Sequence, residues 1–287
     1  MDAVLEGRVE AALGRRAVRL TPVRRGYTQA ARLLAELEDG SRTFVKIAID
    51  ELTAGWLRDE HRIYSAVRGF FLPELLGFDD DGERPALALE DLSTAHWPPP
   101  WPDGSVEAVL RALDELHAVQ PPPGVPRIEQ VERLFLGWDE VQRDPRPFLS
   151  LGLCSQVWLE HALPILRKAA ETAPFAGDAL LHLDVRSDNV CLLGGRALLV
   201  DWNAACVGNA DVDLAAWLPS LRTEGGPEPW ELLSGQAGLA AWVAGFFAAR
   251  AGLPPPTTAD PSVRAIQVAQ LEAALAWAVR ELGLPAL

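Results

Sequence analysis

Residues 182–189 read His-Leu-Asp-Val-Arg-Ser-Asp-Asn, which puts an aspartate, Asp184, five positions before an asparagine, Asn189. A short apolar run at 197–200 then ends on a second aspartate, Asp201. Transfer of a phosphoryl group from a magnesium nucleotide uses such a set: one carboxylate accepts a hydroxyl proton, and an amide and a carboxylate hold the metal. Asp184 is the candidate catalytic base. Asn189 and Asp201 are the candidate Mg2+ ligands, because hard divalent ions take oxygen donors and Mg2+ usually draws only one or two from protein. A strand ending on Asp201 would carry that carboxylate rigidly into a cleft.

Residue usage sharpens these choices. Of 26 basic residues only Lys46 and Lys168 are lysines, and the three asparagines, Asn189, Asn203 and Asn209, all lie in or just after this segment. Lys46 sits in Phe44-Val45-Lys46-Ile47-Ala48. A lysine inside an apolar strand is costly unless charges face it. Nucleotide phosphates could supply one such charge, and a carboxylate from the next helix (Glu51, Asp59 or Glu60) the other.

The elements that must position these groups change character along the chain. Residues 17–24, 30–38 and 43–49 read as strands, with Asp39-Gly40-Ser41 as a hairpin turn. A helix with apolar positions near a 3.6-residue repeat follows over 51–67, and 74–78 with 85–90 reads as another hairpin. Beyond Asp91 the chain turns helical, over 105–119, 155–172 with a kink expected at Pro164, 213–221, 237–250 and 262–282. Residues 126–150 carry no clear period.

The pattern H-x-D-x-x-x-x-N followed by Asp201-Trp202 resembles the core of the aminoglycoside phosphotransferase and choline kinase family, relatives of protein kinases. By motif the resemblance runs from about residue 26 to 214. It implies an α+β, bilobal, kinase-like fold: a small β-rich nucleotide-binding lobe over 1–91 and a larger, mainly helical catalytic and acceptor-binding lobe over 92–287. The family register selects Asp184 over its neighbour Asp188 as the base, and Glu60 as the partner of Lys46. It gives His182 and Asp213 bracing roles around the catalytic loop. Glu90 and Leu92 would meet the adenine edge through their backbones, and Gly26 would be the single glycine of the phosphate-covering loop. Here the chain departs from protein kinases, since it lacks G-x-G-x-x-G; it also has no G-x-x-x-x-G-K-[ST]. The implied activity is transfer of the γ-phosphate of ATP or GTP, with Mg2+, to a hydroxyl of a small molecule.

Composition narrows the partners. A net charge of −14 argues against nucleic acid, whose backbone attracts the opposite sign. It suits a cationic acceptor; the resemblance implies an aminoglycoside-like polyamine antibiotic, because the family's name-bearers bind amines through acidic pockets, and Asp139, Glu140, Glu224, Glu228 and Glu272 are the candidate pocket residues. The alternatives are an amino alcohol or sugar as acceptor, or a non-catalytic kinase-like nucleotide-binding protein. The apolar runs are too short to span a bilayer. No basic segment followed by an apolar run opens the chain. Three cysteines without C-x-x-C spacing fit a reducing compartment, so a cytoplasmic protein without a membrane partner is expected.

Overall fold

The computed structural model describes residues 3–23, 30–131, 134, 135, 137–255 and 262–287. In chain order its elements are helix α1 (Ala3–Leu13), strands β1 (Ala17–Pro22), β2 (Ala31–Leu37) and β3 (Arg42–Ile47), helix α2 (Glu51–Ala66), strands β4 (Leu75–Asp79) and β5 (Ala86–Glu90), and helix α3 (Ser105–His117). Helices α4 (Trp138–Arg143), α5 (Arg146–Leu149) and α6 (Gln156–Glu171) precede strands β6 (Ala179–Leu181), β7 (Val190–Leu193), β8 (Arg196–Leu199) and β9 (Cys206–Gly208). Helices α7 (Asp211–Thr223), α8 (Pro229–Leu232), α9 (Ala237–Ala251) and α10 (Val263–Leu282) complete the chain. These elements gather into two compact units, residues 1–124 with 187–205, and residues 125–186 with 206–287.

The first unit is built on an antiparallel sheet of order β1-β2-β3-β5-β4. Alternation along a strand sends successive side chains to opposite faces. Val45 and Ile47 of β3, Leu33 and Ala35 of β2 and Ala86 and Ala88 of β5 therefore share one face, and α1 closes it with Val9 and Ala12. Lys46 is left on the other face with Arg32, its cross-strand neighbour. Helix α2 covers Lys46 from that side. Its start is fixed by a capping box: Asp50 Oδ1 accepts from the Thr53 N–H at 2.8 Å, and Thr53 Oγ1 accepts from the Asp50 N–H at 3.1 Å. Helix α1 has no counterpart in the sequence reading. It is tied down by Arg8, which bonds the Asp79 carboxylate at 2.6 Å and the Arg84 carbonyl at 2.8 Å.

Among its described residues, the regular structure of the second unit is helical apart from the β6–β9 pair. Its core is tryptophan-rich: Trp217 and Trp277 are fully buried, and Trp138 and Trp242 donate to the Ala241 and Leu134 carbonyls at 2.7 and 2.9 Å. Helix α9 passes close to α4, where a Cβ on Gly245 would stand 2.7 Å from the Trp138 ring. The unassigned stretch 126–150 holds a 3-10 turn at Ile128–Gln130 and the short helices α4 and α5. Pro164 lies inside α6, which runs through it to Glu171. No described helix is long and apolar enough to cross a membrane.

Candidate active site

Lys46 is held in a cage of carboxylates within the first unit. Its Nζ lies 2.9 and 2.8 Å from the two Glu60 oxygens and 2.7 Å from Asp201 Oδ1. Lys46 and Glu60 are almost completely buried, whereas the Asp201 side chain keeps 19% of its exposure. The cluster carries one positive and two negative charges, so the carboxylates cannot both be served fully. Burial dominates at Glu60 and raises its pKa against the pull of Lys46, with the Asp201 charge adding to the rise. At Asp201 burial is outweighed by Lys46, with Arg32 assisting, and the carboxyl is held below its usual range. Burial also opposes the Lys46 charge, but the Asp201 and Glu60 carboxylates overcome it and keep the ammonium protonated.

A hairpin brings Asn189 beside the strand that ends on Asp201. Strands β7 and β8 pair antiparallel across Gly194-Gly195, whose φ values of 60° and 78° suit a tight hairpin turn. Asn189 immediately precedes β7, and its carbonyl accepts from the Val200 N–H at 2.9 Å, one residue before Asp201. That Gly-Gly turn between two apolar runs was the signal available for the hairpin in the sequence. Asp201 itself takes a left-handed φ of 70°. The next residue anchors it: Trp202 is fully buried, donates Nε1–H to the Leu199 carbonyl at 3.0 Å and packs against Phe71.

In the second unit, the segment after β6 is organised by Asp213. Its buried carboxylate accepts from the His182 N–H at 2.9 Å and the Leu183 N–H at 2.6 Å. Leu183 takes a φ of 63°, a conformation costly for a branched residue and maintained by its surroundings. His182 is fully buried, and its Nδ1 faces the Asp184 N–H at 3.3 Å, which requires the tautomer with Nδ1 as acceptor. The Asp184 carboxylate is partly exposed and lies 3.2 Å from Arg186 Nε. Arg186 was not singled out from the sequence; an arginine two positions after a candidate base was the available hint.

At the end of β5, the Glu90 N–H is taken by the Glu74 carbonyl at 2.9 Å, and its carboxylate accepts from the Glu74 N–H at 3.2 Å. Leu92 joins Cys191 and Leu198 in a buried apolar cluster flanked by Ala95, Trp97, Leu193 and Val200. Gly26 lies outside the described residues. Among the acidic residues considered for an acceptor pocket, Asp139, Glu140 and Glu228 are paired with Arg167, Arg143 and Arg222. Glu224 is half-buried and Glu272 exposed.

Solved structures with a similar fold include a choline/ethanolamine kinase family protein from Mesorhizobium loti, 15% identical, with a TM-score of 0.63 and 98% of both chains covered. An amicoumacin kinase in complex with AMP-PNP, Ca2+ and Ami is 11% identical over 94% of this chain and 92% of that one, with a TM-score of 0.55. A type I macrolide 2′-phosphotransferase is 20% identical, with a TM-score of 0.51 and coverages of 98% and 92%. These likenesses show an α+β, kinase-like fold. No curated protein matches the sequence. The sequence model of the phosphotransferase enzyme family, APH, matches residues 19–256, and the chain belongs to that family.

Proposed function

We propose that the protein is a Mg2+-dependent kinase that moves the γ-phosphate of ATP or GTP to a hydroxyl of a small molecule. The observation that carries this reading is the cage of Lys46, Glu60 and Asp201, with Asn189 at the other end of the hairpin that delivers Asp201. Asn189 and Asp201 offer two oxygen donors, the number that Mg2+ usually takes from protein. Bound there, the ion would neutralise charge on the phosphates. Lys46, oriented by Glu60, would bind the α- and β-phosphates. Asp184 would accept the proton of the acceptor hydroxyl as its oxygen attacks the γ-phosphorus and the nucleoside diphosphate leaves. His182 and Asp213 would hold the loop that carries Asp184, Gly26 would lie over the phosphates, and the backbones of Glu90 and Leu92 would read the nucleobase. In this reading residues 1–91 serve the nucleotide, and 92–287 serve catalysis and the acceptor, in a cytoplasmic protein. Three free cysteines are in keeping with that compartment.

For the acceptor we propose an aminoglycoside-like polyamine, in keeping with the acidic composition. A second reading, an amino alcohol or sugar, is favoured by the arginines already occupying Asp139, Glu140 and Glu228. The deciding experiment is the thermal midpoint with and without Mg·ATP and Mg·GTP, in the wild type and Asp201→Ala. A ligand at 100 times its Kd adds about 2.7 kcal/mol, or several degrees for a chain of this size. An upshift that needs Mg2+ and disappears in the variant is expected. No shift with either nucleotide overturns the reading.

A further inference from the structure

Arg32 of β2 stands directly opposite Lys46 of β3, so both side chains leave the same face of the sheet, with Cβ atoms about 5 Å apart. The neighbouring pair on that face, Leu34 and Phe44, is apolar. Like charges directly opposite each other across a ladder are destabilising. The carboxylates that offset this repulsion, Glu60 and Asp201, both bond Lys46 Nζ, and the Arg32 charge adds to the hold on Asp201. In the free protein two cations are thus balanced by two carboxylates.

Arg32 also stands at the foot of the β1–β2 connection. Its carbonyl accepts the Val23 N–H at 2.9 Å, and its Nη1 donates to the Ala30 carbonyl at 3.4 Å. In sequence, residues 24–29 join Val23 to Ala30 and include one glycine, Gly26. Glycines in a phosphate-covering loop let main-chain N–H groups come close to phosphate oxygens. With one glycine fewer such approaches are open, and a side-chain donor at the foot of the loop supplies the difference. Arginine suits that task, because its guanidinium stays charged and its fork of N–H donors matches a phosphate.

In the phosphotransferase reading above, on which this inference rests, Asp201 serves Mg2+ and Lys46 serves the phosphates. Arg32 and Lys46 then have Glu60 alone between them, and a polyanion restores the balance. We propose that Arg32 is a phosphate-binding residue: its guanidinium takes oxygen atoms of the nucleotide's phosphate chain alongside Lys46, in place of main-chain donors that a glycine-rich loop would supply. The cation pair that strains the free sheet becomes a clamp in the loaded one.

The test titrates wild type, Arg32→Gln and Arg32→Lys with whichever of Mg·ATP and Mg·GTP shifts the wild-type midpoint, at two Mg2+ concentrations a decade apart, and reads the apparent Kd. Arg32→Gln is expected to raise that Kd about ten- to a hundredfold at both Mg2+ concentrations, the scale of charge-assisted hydrogen bonding. Arg32→Lys keeps the charge but loses the fork, and its Kd should fall between the two. An equal Kd in wild type and Arg32→Gln overturns the proposal and leaves the phosphotransferase reading intact. A loss that the higher Mg2+ makes good overturns it too, because Arg32 would then be serving Asp201 rather than phosphate. Should Arg32→Gln not fold, a wild-type Kd in Arg32→Lys overturns it, and a raised one upholds it. Absence of any upshift in wild type removes both readings together.

Discussion

Asp184 and Lys46 make separable demands on experiment, since one would serve the acceptor and the other the nucleotide. Asp184→Ala should lower kcat by about 10²–10⁴-fold, the usual worth of a positioned base, while the Mg·nucleotide upshift of the midpoint stays as in wild type. Unchanged turnover would remove Asp184 from the chemistry. The thiols give a second check on residue environments. Cys191 and Cys206 are fully buried, and burial pushes the first up to about 12 and raises the second as well. Cys154 is partly accessible. A thiol reagent should therefore label one cysteine in the native protein and three after denaturation. Lys46 was legible in the sequence because a lone lysine in an apolar strand demands partners. Arg32 was not, since one arginine among many gives no notice of which strand partner it will face. The positive φ of Leu183 and Asp201 was equally silent, because only glycine announces such a conformation.

At the level of elements, the β2–β3 hairpin and helix α2 were readable from turn residues and apolar period. Helix α1 was not: its sequence, AVLEGRVEAAL, carries a central glycine and no strong apolar stripe, and its place comes from the sheet it covers. Helices α4 and α5, of 6 and 4 residues, are too short for a 3.6-residue period to repeat. The docking of α1 turns on one position. A Cβ on Gly77 of β4 would collide with the Ala12 carbonyl oxygen near the end of α1. Gly77→Ala should cost about 1–3 kcal/mol by forcing the helix off the sheet, and scanning calorimetry should show a midpoint lower by several degrees. A midpoint equal to wild type would mean that α1 yields without loss.

Across the whole molecule, acid should unfold the protein partly through carboxylates held by arginines. Asp80 shows the sign. Hydrogen bonds from the Arg58 guanidinium at 2.7 and 3.0 Å bring its pKa down to about 2. The folded state thus binds its proton less readily than the unfolded chain, and the stability Asp80 contributes is complete above the ordinary carboxylate range and lost as pH falls towards 2. Midpoints measured from pH 6 to pH 2 should fall less steeply for Asp80→Asn, with the two proteins converging at the acid end. Parallel curves would assign the acid sensitivity to other groups. The family was visible at this scale from residues 182–202 alone, because the H-x-D-x-x-x-x-N and Asp-Trp pattern is contained within a short segment. The helices around them are constrained only by packing, which many sequences satisfy.

The order of the two units along the chain bears on how the protein is made. The first unit uses residues 1–124 and is completed only by 187–205, so 62 residues of the second unit, 125–186, are synthesised in between. Asp201 meets a lysine translated 155 residues earlier. At about 5–20 residues per second, roughly 5–20 s separate emergence of β5 from that of β8. For that interval β3 and α2 present Lys46 and Glu60 without Asp201 or the β7–β8 hairpin, and Leu92 lacks the Cys191 and Leu198 side chains that it packs against in the folded protein.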